Sequence, residues 1–176
     1  MLNSLLPKWL LSLLIHAVAA GVAAGLIHWV GSDERVLAQA LLTRLTDNPI
    51  AIQQTLEDTR SALILAAVLT FGAGFLCSAL WLLIAERSAP VDNDSARSQT
   101  GSWAGLLLLA LLLGLILWWV QIWMPLISHN LVAGVLVKTV PAVLAGAALA
   151  YYLATGLLVK NAMRPSVPLA SSLFHF

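Results

Sequence analysis

The sequence predicts an all-α integral membrane protein: four transmembrane helices with a short helical hairpin extension on the outer (periplasmic) side. Three observations carry this reading. First, 60% of the 176 residues are hydrophobic and only 10% are charged, against about 25% charged in an average soluble domain. Second, no formal charge falls from Trp9 to Ser32, Ser61 to Ala85, Ser98 to Val137 or Thr139 to Val159. Each stretch can supply the roughly 20 apolar residues that a membrane-crossing helix needs. Third, the longest stretch is about twice that requirement and is divided by "MPLISHN". There Pro125 removes a backbone donor, while Ser128, His129 and Asn130 bring turn and capping chemistry.

Taken in order, the first helix spans residues 9–30. Its "AVAAGVAAG" tract offers small residues of the kind found at signal cleavage sites. The apolar run beyond Lys8 nevertheless exceeds the 7–15 residues of a signal h-region, so it is read as a retained helix. In the outer loop, residues 31–60, "SDERVLAQALLTRLTDNP" starts on a Ser32/Asp33 cap signal and carries Val36, Leu37, Ala40, Leu41 and Leu45 at helical spacing. Asn48 then caps a further helix with Pro49 at its first position. Nothing breaks that helix before Glu86, so the second transmembrane helix, 61–85, should extend outward. From Pro49 to Glu86 it would cover about 55 Å, more than the roughly 30 Å of a hydrocarbon core.

The loop at 86–102, "ERSAPVDNDSARSQTGS", is polar and rich in turn formers, which suits a flexible cytoplasmic connector. The third helix spans 103–124 and the fourth 133–159. The tail, 160–176, opens on Lys160 and Arg164 before Pro165 and Pro168 stop the helix. The whole of 1–176 is read as one four-helix domain.

An even number of spans places both termini on one side of the membrane. Lys8, Arg87, Arg97, Lys160 and Arg164 share that side, against Arg35, Arg44, Arg60 and Lys138 on the other. The small excess points to cytoplasmic termini in a bacterial inner membrane. Indole rings favour the headgroup layer, so the seven tryptophans are expected to form two belts. Trp9, Trp81 and Trp103 would mark the cytoplasmic boundary, and Trp29, Trp118, Trp119 and Trp123 the outer one.

Apolar helices in lipid associate largely through close approach over small residues. The first helix has Ala17, Gly21 and Gly25 on one stripe and His16, Ala20, Ala24 and His28 on the adjacent one. The second offers Ala66, Thr70, Gly74 and Ser78, and the fourth Ala142, Gly146, Ala150 and Ala154. The third is nearly all leucine apart from Gly105, Ala110 and Gly114. Helices one, two and four are therefore expected to make the tight contacts, with the third showing leucines to lipid or another subunit. Both histidines are placed on the packing face, His16 donating to Thr70, Ser78 or a backbone carbonyl across it.

Several function classes lose ground on these residues. A single cysteine, Cys77, allows no intrachain disulfide and no cysteine-pair redox chemistry. A net charge of +1 gives no reason to expect nucleic acid. No Asp or Glu lies inside a span to relay a coupling proton, and no nucleophile, zinc or phosphate-loop motif occurs, so the chain is read as non-enzymatic and without a cofactor. His16 and His28, about 18 Å apart along one helix, cannot share an iron. A haem or metal site would have to use His28 with His129, which falls short of the usual ligand set. The lack of a polar stripe through any helix also argues against an open pore.

What remains is contact chemistry: an accessory or scaffold subunit of a multi-protein membrane assembly, for example a secretion or conjugation apparatus, or a homo-oligomer. In layout the chain also resembles the four-helix immunity proteins that guard against pore-forming colicins, with similar length and both ends cytoplasmic. That resemblance matches no residue motif, so it implies no site residues here. It implies a self-standing protein acting against one toxin.

Overall fold

A computed structural model describes residues 2–32, 49–88, 90–123 and 132–173. It is helical, with no strand among the described residues. The four long helices run Leu2–Ser32, Pro49–Arg87, Thr100–Trp118 and Val132–Leu158, the third continued by a π-helical turn at Trp119–Trp123. All four are long and apolar enough to span a membrane. The second is unbroken from Pro49, as its sequence requires, and its 39 residues give about 58 Å of helix. The amphipathic helix expected before Pro49 and the turn holding Pro125 and His129 lie outside the described residues.

The second helix is the centre of the bundle. Half of its most apolar window is buried, against 17% for the first helix and 22% for the third. Its buried set includes Ala66, Ala67, Thr70, Ala73, Gly74, Cys77 and Ser78, small side chains covering an arc wide enough for three neighbours. The first, third and fourth helices all pack on it. Around Ala66, Ala67 and Phe71 it meets Ala20 and Ile27 of the first helix and Val143, Ala147 and Ala150 of the fourth. Around Cys77, Trp81 and Leu82 it meets Trp103 and Ala110 of the third and Tyr151 of the fourth.

The expected division of labour among the helices is thus corrected. The third helix does expose leucines, Leu108, Leu112 and Ile116 among them, yet it also packs through Trp103, Ala110, Gly114 and Trp118. The first helix is at least as bare, with Leu10, Leu14, Val18, Val22 and Leu26 all facing out.

The connector and tail form structure together. Residues Asn93–Arg97 make a short helix whose start is closed by a reciprocal capping box. The Ser95 amide donates to the Asp92 carboxylate at 2.8 Å, and the Asp92 amide donates to the Ser95 hydroxyl at 3.1 Å. The same Asp and Ser that read as loop formers are helix starters at this spacing. The fourth helix stops at Leu158, and the chain turns through a 3-10 helix, Asn161–Ser166, that packs against the capped helix. Ala96, Met163, Val167 and Ala170 are fully or almost fully buried there. Lys160 anchors the turn by donating to the carbonyls of Glu86 and Ser88, both at the end of the second helix. Those carbonyls would otherwise lack partners.

Candidate functional site

Four features of the bundle could do chemistry: a set of polar ties between helices, His16, the outward stripe of the first helix, and an apolar groove.

The ties begin at the end of the bundle where the termini lie. Lys8 donates to Glu86 at 2.9 Å, with both side chains about three-quarters buried. One layer deeper, the Trp103 indole donates to Thr155 Oγ1 at 2.9 Å, and the Tyr151 hydroxyl donates to the Trp103 carbonyl at 3.1 Å. In the far half, the Trp118 indole donates to Thr70 Oγ1 at 3.1 Å. Each threonine spends its own proton one turn back, Thr155 on the Tyr151 carbonyl and Thr70 on the Ala66 carbonyl. This leaves each oxygen as an acceptor aimed at an indole. The third helix is therefore pinned at both ends by the same Trp–Thr pair.

The first helix is tied by Ser12. Ser78 Oγ donates to the Phe75 carbonyl at 2.8 Å, so the 2.8 Å contact between Ser12 and Ser78 has Ser12 as donor. One turn on, His16 Nδ1 lies 2.8 Å from the Ser12 carbonyl. A carbonyl only accepts, so Nδ1 carries the proton. His16 thus bonds within its own helix, and not across to Thr70 or Ser78 as expected. Its Nε2 is buried with no hydrogen-bond partner among the described residues and rests against Gly74. A Cβ at Gly74 would sit 3.2 Å from both Nε2 and Cδ2 of the ring. Glycine is there because the imidazole occupies that space.

His28 does not share this environment; it faces outward. The reason is helical drift. Each step of four residues overshoots a 3.6-residue turn by about 40°, so three steps from His16 to His28 rotate the face by about 120°. The buried line follows the true period instead, through Leu5, Ser12, His16, Ala20 and Ile27, with Ala24 half-buried beside it. Ala17, Gly21 and Gly25 face out, and a Cβ built on either glycine meets nothing within 4 Å.

The stripes of the other helices fare differently. Ala66, Thr70, Gly74 and Ser78 are all buried. On the fourth helix, Ala150 and Ala154 are buried, Gly146 is half-buried against Phe71, and Ala142 is exposed. The tryptophans differ in burial within the bundle. Trp81, Trp103 and Trp118 are core residues, Trp9 is half-buried, and Trp29 and Trp119 face out; the Trp123 side chain lies outside the described residues. An indole joins an apolar body to a single donor, so one buried beside a threonine acceptor serves the core as well as the headgroup layer. The sequence reading missed Ser12 and Thr155, although both are small hydroxyl residues within apolar helices.

The groove has a volume of about 680 Å³ and runs between the first and fourth helices, floored by Leu63 and Phe71 of the second. Its walls are largely aliphatic, and Arg60 and Thr139 are its polar lining residues.

Among the described residues, no group of three or more His, Cys, Asp or Glu is placed to hold a metal ion. His129, the suggested partner of His28, lies outside them. No protein-family model, curated protein or solved structure matches this chain.

Proposed function

We propose that this protein is a multi-pass subunit of a bacterial inner (cytoplasmic) membrane assembly, non-enzymatic, with both termini in the cytoplasm, acting through lateral helix packing. A secretion or conjugation apparatus is an assembly of the fitting kind. The observation that carries the reading is the outward stripe Ala17–Gly21–Gly25. It has the small-residue spacing that lets membrane helices approach closely, yet the core formed by the described residues does not use it. The core of the first helix uses the neighbouring face, through Ser12, His16 and Ala20. The extended second helix gives further surface for neighbouring subunits, while the exposed leucines of the third are left to lipid.

The test is a Gly21→Leu/Gly25→Leu variant expressed in its native membrane, extracted in mild detergent and sized on a native gel. The bundle should remain folded, because both positions are exposed and a Cβ at either meets nothing within 4 Å, while the assembled species is lost. Unchanged assembly in a folded variant would overturn the proposal. Migration of the wild type as an isolated bundle of 18.8 kDa would do the same and favour a self-standing immunity-type protein. A Soret band in the purified sample would instead reopen the haem reading.

A further inference from the structure

We infer that residues 168–173 lie at the headgroup–acyl boundary of the membrane, at the end of the bundle where the termini lie, with Leu169 and Leu173 inserted into lipid. Past the 3-10 turn Asn161–Ser166, the chain climbs back beside the fourth helix, and the Tyr152 hydroxyl donates to the Pro168 carbonyl at 2.8 Å. Tyr152 belongs to the candidate span Thr139–Leu158 and lies about 9 Å of helix before its end. Aromatic side chains on a helix lean toward its N-terminus, here away from the end where the chain termini lie. Pro168 is therefore held within the membrane layer and not below it.

The segment is built as lipid requires. Without water, each backbone polar group needs a partner from the protein. The Val167 amide donates to the Arg164 carbonyl, Ala170 to that of Val167 and Leu173 to that of Leu169. Pro168 has no N–H to satisfy, and its carbonyl takes the tyrosine proton. One side of the segment faces the bundle, where Val167 and Ala170 are buried. The other side carries Leu169 and Leu173, which are 70% and 61% exposed and one helical turn apart. Leu169 has a φ of 59°, in the left-handed region where a Cβ crowds the backbone and glycine or asparagine is favoured. What leucine contributes at that turn is apolar surface, whose transfer from water into acyl chains is favourable. Interfacial segments bury such faces about 5–10 Å into the boundary, which matches the depth set by Tyr152.

The inference rests on the membrane placement proposed above, not on the subunit's partners. It is tested by attaching a nitroxide to Leu169→Cys or Leu173→Cys in the full chain, reconstituted in phosphatidylcholine–phosphatidylglycerol vesicles. Cys77 is buried, and the unsubstituted chain reports any labelling there. Collisions are read with oxygen, which concentrates in acyl chains, and with a nickel chelate, which stays in water. The lipid reference is Leu112→Cys on the exposed face of the third helix, and the water reference is Val91→Cys, 96% exposed in the connector. The expected result at both test positions is loss of the nickel broadening seen at Val91, with the oxygen broadening of Leu112 retained. Leu173 sits on helical backbone and carries the test should Leu169→Cys misfold. Nickel broadening equal to that at Val91 would overturn the inference by placing the segment in water. Protection from both reagents would also overturn it, by placing a protein partner over the leucines. Nickel broadening at Leu112 would refute the membrane placement itself.

Discussion

At Gly114 the third helix lies tightly against the second and fourth, and Gly114→Ala should weaken the bundle. A methyl there would lie 2.8 Å from Thr70 Cγ2 and 3.0 Å from Leu144 Cδ2. Carbon atoms pack best at about 3.5–4.0 Å, so each contact is roughly 0.5 Å or more too short. Thr70 cannot easily turn away: it is β-branched and stiff at χ1, and its hydroxyl is held between the Ala66 carbonyl and the Trp118 indole. The third helix must shift, at a cost of about 1–3 kcal/mol for overpacking. Replacing glycine by alanine also favours helix by about 1 kcal/mol, so the control is Gly105→Ala on the same helix, where a Cβ meets nothing within 4 Å. The propensity gain cancels between the two variants, leaving Gly114→Ala less stable by about 1–3 kcal/mol. Denaturant or SDS titration in micelles, followed by tryptophan fluorescence, reads the difference. Equal stabilities would refute the crossing geometry.

Other outcomes follow from the same contacts. A double-mutant cycle of Thr70→Val with Trp118→Phe should give a coupling near 0.6 kcal/mol and below about 1.7 kcal/mol, the range for hydrogen bonds between membrane helices; zero coupling would mean the bond does not form. Gly74→Ala should be less stable than the control Gly72→Ala, where a Cβ meets nothing within 4 Å, by about 1 kcal/mol through its contact with the His16 ring, and His16→Ala should remove much of that difference; a difference unchanged in the His16→Ala background would place the ring elsewhere. At the connector, hydrogen bonds from the Ser95 amide and hydroxyl hold the Asp92 carboxyl below the ordinary carboxylate range. A folded-state pKa lowered in this way stabilises the capped helix above the unfolded pKa and ceases to do so as pH falls through the folded one. Amide-exchange protection at Ser95 should therefore drop at acid pH in the wild type, and be low at all pH values in Asp92→Ala. Protection that is insensitive to both changes would contradict the cap.

The architecture was legible because it depends on crude quantities. Charge-free length marks the four helices, and the absence of a breaker from Pro49 to Glu86 marks the long one. The lateral faces were not legible, for two physical reasons. Four-residue spacing reads as a straight line along the helix, whereas real packing lines alternate threes and fours, so by His28 the drift from His16 reaches a third of a turn; and of two adjacent small-residue stripes the sequence does not say which faces the core, the Ala17 stripe being exposed from its first residue. The headgroup preference of tryptophan says nothing of which way an indole faces, whereas Trp103 and Trp118, with Ala110 and Gly114 between them, lie at steps of seven, four and four on one face. That spacing, read beside Thr70 and Thr155, is the available signal for the two Trp–Thr ties. The groove had no such signal, since it is the space left between two helices whose order around the second only the fold supplies.

The central claim is that the Ala17–Gly21–Gly25 face meets another protein. A photo-crosslinking residue at Leu10, seven positions before Ala17 and so on the same face, tests it without altering the stripe, with Leu112 as the control; both leucines are exposed. After irradiation of native membranes, protein adducts from position 10 and lipid adducts alone from position 112 are the predicted result. Lipid adducts alone from position 10 would contradict the account.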